Sequence, residues 1–130
     1  MYRHLILKSL IVFLSGVLSA SAIAHEWTPT YPKLSLSHMQ DIWKTRMKLF
    51  NSREDIEFYQ ISVFDQEWNP VPYAVLMNPI RVNYLETKYV DVYIRNEDKS
   101  RAVYLCSKSK VYAVDTTKPM LFSRICSKIK

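Results

Sequence analysis

Tyr89-Val90-Asp91-Val92-Tyr93-Ile94 sets Val90, Val92 and Ile94 on one side of an extended chain and Tyr89, Asp91 and Tyr93 on the other. Successive side chains leave a strand in opposite directions, so this period of two predicts a strand with one buried face. Working outward, Ile56 to Phe64 repeats the pattern with Tyr59, Ile61 and Val63 together, and Ile80 to Tyr84 does so with Ile80, Val82 and Tyr84. Ala102 to Cys106, Val111 to Val114 and Leu121 to Ile129 read as further strands. Between them lie turn-forming clusters at Asn51-Ser52-Arg53-Glu54-Asp55, Trp68-Asn69-Pro70, Asn78-Pro79 and Asn96-Glu97-Asp98. Short aromatic and β-branched segments punctuated in this way predict an all-β chain, a sandwich or a barrel.

One stretch admits two readings. Ser37-His38-Met39-Gln40 resembles a helix capping box, and Met39, Ile42, Trp43, Met47 and Phe50 recur at helical spacing. The same residues place Thr45, Met47 and Leu49 opposite Lys44, Arg46 and Lys48, as in a half-buried strand. We favour a strand over Thr45 to Asn51 and leave residues 37–44 open between helix, turn and strand.

The N-terminus reads as an export signal. Arg3, His4 and Lys8 form a basic start, Leu10 to Leu18 a short apolar run, and Ala22 and Ala24 an A-x-A cleavage site. The run is far below the ~20 residues that span a bilayer, so a stable membrane span is not expected. Cleavage divides the chain into a signal peptide, residues 1–24, and one domain, residues 25–130, working in the periplasm. Cys106 and Cys126, in such an oxidising compartment, predict one structural disulfide worth about 3 kcal/mol for a loop of roughly 20 residues.

The one glycine, Gly16, lies in the leader, which excludes glycine-rich phosphate loops, dinucleotide fingerprints and the hydrolase nucleophile elbow. No H-E-x-x-H, C-x-x-C or recognisable Ser-His-Asp arrangement occurs, and Glu54/Asp55 and Glu97/Asp98 sit in turn-like clusters. The expectation is therefore a binding protein, not an enzyme, with no cofactor. The formal charge of +6 is uneven: Lys99 to Lys130 holds eight bases and one acid, whereas His25 to Asp98 holds eight bases and eleven acids. A basic final third suits an acidic or carboxylate-bearing partner, and the modest excess argues against nucleic acid.

A family resemblance covers most of the chain after the leader. Tyr31-Pro32-Lys33-Leu34-Ser35-Leu36, Met47-Lys48-Leu49-Phe50-Asn51-Ser52, Tyr59 to Asp65, Trp68 to Tyr73, Asn78 to Val82 and the terminal Leu121 to Lys130 resemble the N-terminal domain of periplasmic pilus chaperones of the chaperone–usher pathway. The resemblance implies a single immunoglobulin-like β-sandwich. It extends to one of that family's two domains, and the sequence ends at Lys130, where the hinge to the second would begin. Leu85-Glu86-Thr87 stands where the family carries a glycine turn.

By this resemblance Lys33 and Lys130, with Lys128 a second choice, would hold the C-terminal carboxylate of a client through charge-assisted hydrogen bonds. Leu121, Ser123, Ile125, Ser127 and Ile129 share one parity in the last strand. In the family that row serves β-strand addition to a pilin-like client, while in an ordinary sandwich it would be core. The expected function is an exported protein-binding module, a chaperone-like or accessory factor in assembling a pilus or surface structure. The alternatives are a structural subunit of an envelope secretion or conjugation apparatus and a periplasmic copper protein. The copper reading would use His25 as an N-terminal ligand, but His38 is the one further histidine after the leader, and we assign no metal ligands.

Overall fold

A computed structural model describes residues 24–111 and 122–130; the leader and the segment 112–121 lie outside the described residues. Eight strands follow in order: β1 (Glu26–Thr28), β2 (Ser35–Leu36), β3 (Ile42–Phe50), β4 (Phe58–Phe64), β5 (Ile80–Arg81), β6 (Thr87–Arg95), β7 (Tyr104–Lys110) and β8 (Arg124–Lys128). There is no helix among the described residues. β1 and β2 pair with one edge of β3 and β6 with the other, while the second sheet runs β5-β4-β7-β8; every pairing is antiparallel. The fold is an all-β sandwich, as the alternating segments predict.

Two faces of alternate residues meet between the sheets. Met47 and Leu49 of β3 and Val90, Val92 and Ile94 of β6 oppose Tyr59, Ile61 and Val63 of β4 and Leu105 of β7, all buried. Each such side chain removed from water contributes about 1.5–3 kcal/mol. Trp27 of β1 spans the layers, its indole N–H donating to the Leu105 carbonyl at 2.9 Å.

The open stretch resolves as a hairpin. Ser37 N–H donates to the Ile42 carbonyl at 2.9 Å, and Asp41 takes a φ of 57°, which its short polar side chain tolerates. β3 begins at Ile42 because β6 lies along its whole length, from Ile42↔Arg95 to Phe50↔Thr87. Pairing with a nine-residue partner overrides the helical spacing of the same side chains. Other boundaries move as well, β4 starting at Phe58 instead of Ile56 and β8 covering Arg124–Lys128. β7 runs on from Cys106 to Lys110 along β4, and Val111 is in no strand; residues 112–114 of the expected strand lie outside the described residues. The expected strand at Ile80 to Tyr84 stops at Arg81, since Glu86 turns the chain by accepting from Asn83 N–H at 2.7 Å.

Cys106 and Cys126 are directly opposed in the β7–β8 register and form a disulfide, with Cα atoms 4.1 Å apart. It ties β8 to the interior of its sheet.

Asn51 ends β3 and is fully buried. Its Nδ2 donates to the carbonyls of Ile56 (2.7 Å) and Val82 (2.9 Å), and its Oδ1 accepts from Arg53 N–H (2.9 Å) and the Tyr59 hydroxyl (2.5 Å). Its main chain pairs with Leu85 N–H and the Glu86 carbonyl, so this one residue fastens two loops and both sheets. Asn51→Ala would leave several buried groups unpaired, each costing about 1–3 kcal/mol; urea unfolding should show a loss of at least ~3 kcal/mol. At exposed Leu85 the φ of 60° strains a bulky side chain. Leu85→Asn should raise stability by about 0.5–1 kcal/mol in the same assay.

Candidate partner-binding edge

β8 is the outermost strand of the second sheet, and its two edges are unlike. Ile129 N–H donates to the Val103 carbonyl (2.8 Å) and Ser109 N–H to the Ser123 carbonyl (2.9 Å), so odd-numbered residues turn their main chain toward β7. Even-numbered residues turn theirs outward. Outward N–H groups of Lys128 and Lys130 donate to the carbonyls of Thr30 and Pro32, each at 3.0 Å. The chain reaches this place because Pro29, with no N–H, ends the pairing of β1 with β3, and residues 30–32 cross to run parallel with the end of β8. Arg124 and Cys126 are left with outward main-chain groups that have no partner among the described residues.

This crossing brings the two predicted anchors into one neighbourhood. Lys33 follows the Pro32 carbonyl that receives the Lys130 amide, and both lysines are exposed. Lys130 Nζ lies 5.0 Å from the Tyr31 ring centroid. A depression of about 370 Å³ beside it is lined by Leu34, Lys99, Ser100 and Ile129. Lys128 is exposed on the same strand end. On the outer face of the sheet, Trp68 stacks on Tyr104, the residue opposite Lys128, at 4.2 Å and 2°, and Arg124 lies 5.5 Å from the Phe64 ring. Aromatic rings with arginine are the composition enriched in contact surfaces.

The alternating row of β8 turns inward. Ile125 and Ile129 pack, half-buried, against the core, Ser127 is buried, and Ser123 faces His25. Leu121 lies outside the described residues. An alternation that suits a client-facing row suits an inward row equally, because periodicity reports that one face is covered without reporting by what. The part of β8 whose outward main chain makes no hydrogen bond among the described residues is at Arg124 and Cys126, with cations around it and β1 passing close beside the strand.

His25 is what sequence reasoning missed. It is 2% exposed, its ring centroid 4.5 Å from that of Tyr59 with the two planes tilted by 51°. Nδ1 lies 3.0 Å from Ser123 Oγ and Nε2 2.5 Å from Ser107 Oγ, so a neutral imidazole donates to one hydroxyl and accepts from the other. Both ring nitrogens are thus engaged by serine hydroxyls of the interior. The available signal was the serine parity of Ser107, Ser109, Ser123 and Ser127, a polar strip on an inward face. Ser127 Oγ is the one buried side-chain oxygen without a partner among the described residues.

Burial pushes the His25 pKa down to about 4, hydrogen bonding to Ser107 works against the shift, and the Arg53 charge adds to it. The folded state therefore binds this proton less readily than the unfolded chain. The contribution is complete above the ordinary value of 6.5 and is lost as pH falls from there toward 4. Unfolding free energy should decline over that window by on the order of 2–3 kcal/mol, and His25→Gln should flatten the decline; urea titrations at each pH check both. Among known proteins, no family model, curated sequence or solved structure matches this chain, so the geometry of the edge carries the functional reading.

Proposed function

We propose that this protein is an exported binding module that captures a polypeptide client by adding a client strand to β8, in a chaperone-like or accessory role in the assembly of a pilus or other surface structure. The observation that carries this reading is the outward main chain of Arg124 and Cys126, unpaired among the described residues and leading directly to Lys130 and the neighbouring Lys33. An added strand would gain main-chain hydrogen bonds there, and a client carboxylate would meet the lysines, which fix its register more than they add affinity. The immunoglobulin-like resemblance and the Cys106–Cys126 disulfide both accord with a periplasmic setting, where thiols are oxidised. No helix among the described residues is long and apolar enough to cross a membrane.

Proline at an edge position removes an outward donor and leaves inward pairing intact. Arg124→Pro should abolish client capture from the envelope fraction, while circular dichroism and the disulfide are unchanged. Lys33→Ala with Lys130→Ala should weaken capture by about tenfold and reduce its sensitivity to salt. Capture that survives Arg124→Pro undiminished would overturn strand addition at β8.

A further inference from the structure

The outer edge of β4 is covered along its length. Val71 N–H donates to the Val63 carbonyl at 2.9 Å, and β5 pairs with Phe58 and Tyr59. At Ile61 the Asn78 side chain stands in for a strand, Oδ1 accepting from Ile61 N–H (3.0 Å) and Nδ2 donating to its carbonyl (3.1 Å). The outer edge of β6 is treated differently. Ala74 exchanges two hydrogen bonds with Tyr93, each 2.9 Å, and the pairing stops there. Continued in the same antiparallel register, residue 76 would face Asp91 and residue 78 would face Tyr89. Asn78 is instead engaged at Ile61 on the other sheet, and the chain parts from β6.

Between residues 74–77 and the β6 edge this divergence opens a cleft of about 500 Å³. Its walls include Ile80 and Val90, both buried, and its rim carries Leu76 at 96% exposure, Tyr89 at 67% and Met77 at 61%. Alternation from Tyr93 turns the N–H and C=O of Tyr89 and Asp91 into the cleft, where they have no partner among the described residues. Apolar walls beside an unpaired strand edge make the two halves of a strand-addition site, pockets for alternate side chains and a main-chain template.

We propose that this cleft is a second docking site, separate from β8, which takes an extended segment of another polypeptide as a strand added to β6. The segment carries β-branched or other small apolar residues at alternate positions, directed onto Ile80 and Val90. Its outward positions are neutral or acidic. They adjoin the face where β3 sets Lys44, Arg46 and Lys48 opposite Tyr93, Asp91 and Tyr89; Asp91 engages Arg46 at 2.7 Å, Glu26 approaches Lys48 at 3.5 Å, and Lys44 remains as excess positive charge. A second copy of the chain is disfavoured on two grounds. The open edge ends at Tyr93, a strip too short for two folded copies to approach the ~1,200 Å² of a stable interface. Two chains of net positive charge also repel. An extended segment depends on main-chain hydrogen bonds more than on area, and fits.

The probe is a short capped peptide of alternating valine and threonine with a glutamate at each end, together with a twin N-methylated at alternate amides. Titrated into the protein and followed by amide NMR, the parent peptide should shift and protect Tyr89 and Asp91, and the twin should not bind. Leu76→Glu, at a position too exposed to support the fold, should weaken binding by about tenfold or more. Tyr89→Pro should abolish it, and Arg124→Pro should leave it unchanged. Absence of binding at millimolar peptide, equal binding of the twin, indifference to Leu76→Glu, or a protein dimer that Leu76→Glu dissociates would each overturn the proposal.

Discussion

The side chain of Asn51 is the constraint on which the sandwich depends. It sits where β3 leaves the first sheet, and it uses both donors and both acceptor sites on groups that come from the following loop, from β4 and from the turn before β6. Those partners are buried and would otherwise be left unpaired, at a cost larger than the gain from any single apolar contact in the core. The residue therefore sets how the two sheets are joined at this end, and the burial of Ile56, Tyr59 and Val82 follows from it.

Asn51 is the strongest case of a wider habit. With Gly16 the one glycine in the chain, the turns cannot take positive φ without cost, and polar side chains do the main chain's work. Asp65 accepts from Glu67 and Asn69 N–H groups, which holds Trp68 at a φ of 65°. Asp98, nearly buried, accepts from Arg95 and Arg101, and both arginines hold its carboxyl below the ordinary range. Asn78 covers the edge of β4 at Ile61. Side chains can satisfy edges only where they happen to reach, and the edges left over define where another chain has room to pair. The β8 edge at Arg124 and Cys126 and the β6 edge at Tyr89 and Asp91 are two stretches left without main-chain partners among the described residues.

The interior is also less uniform than its composition suggests. Around Ile61, Leu49 and Val92 it is mostly apolar, but beneath β7 and β8 it is lined with serines that His25 fills. A buried neutral imidazole with both nitrogens bonded makes this end of the sandwich responsive to acid, whereas the apolar end is not.

By itself the sequence determined the class of the fold and the faces of its strands. Alternation in Tyr59-Ile61-Val63 and Val90-Val92-Ile94 admits one covered side, and the covered side is the observed core. The opposition of Cys106 and Cys126 was legible for a similar reason: two cysteines in two predicted strands have few ways to meet. The tertiary structure decided what periodicity leaves open. It chose strand over helix at Ile42 because β6 supplies a partner for every residue of β3. It turned Ile125 and Ile129 inward, since alternation cannot say whether a row meets its own core or another molecule. It placed Lys33 beside the end of β8 through the crossing after Pro29, a contact between residues nearly a whole domain apart in sequence. It also opened the β6 edge, because whether a strand's outer hydrogen bonds are met depends on where a distant segment runs, and local sequence holds no record of that path.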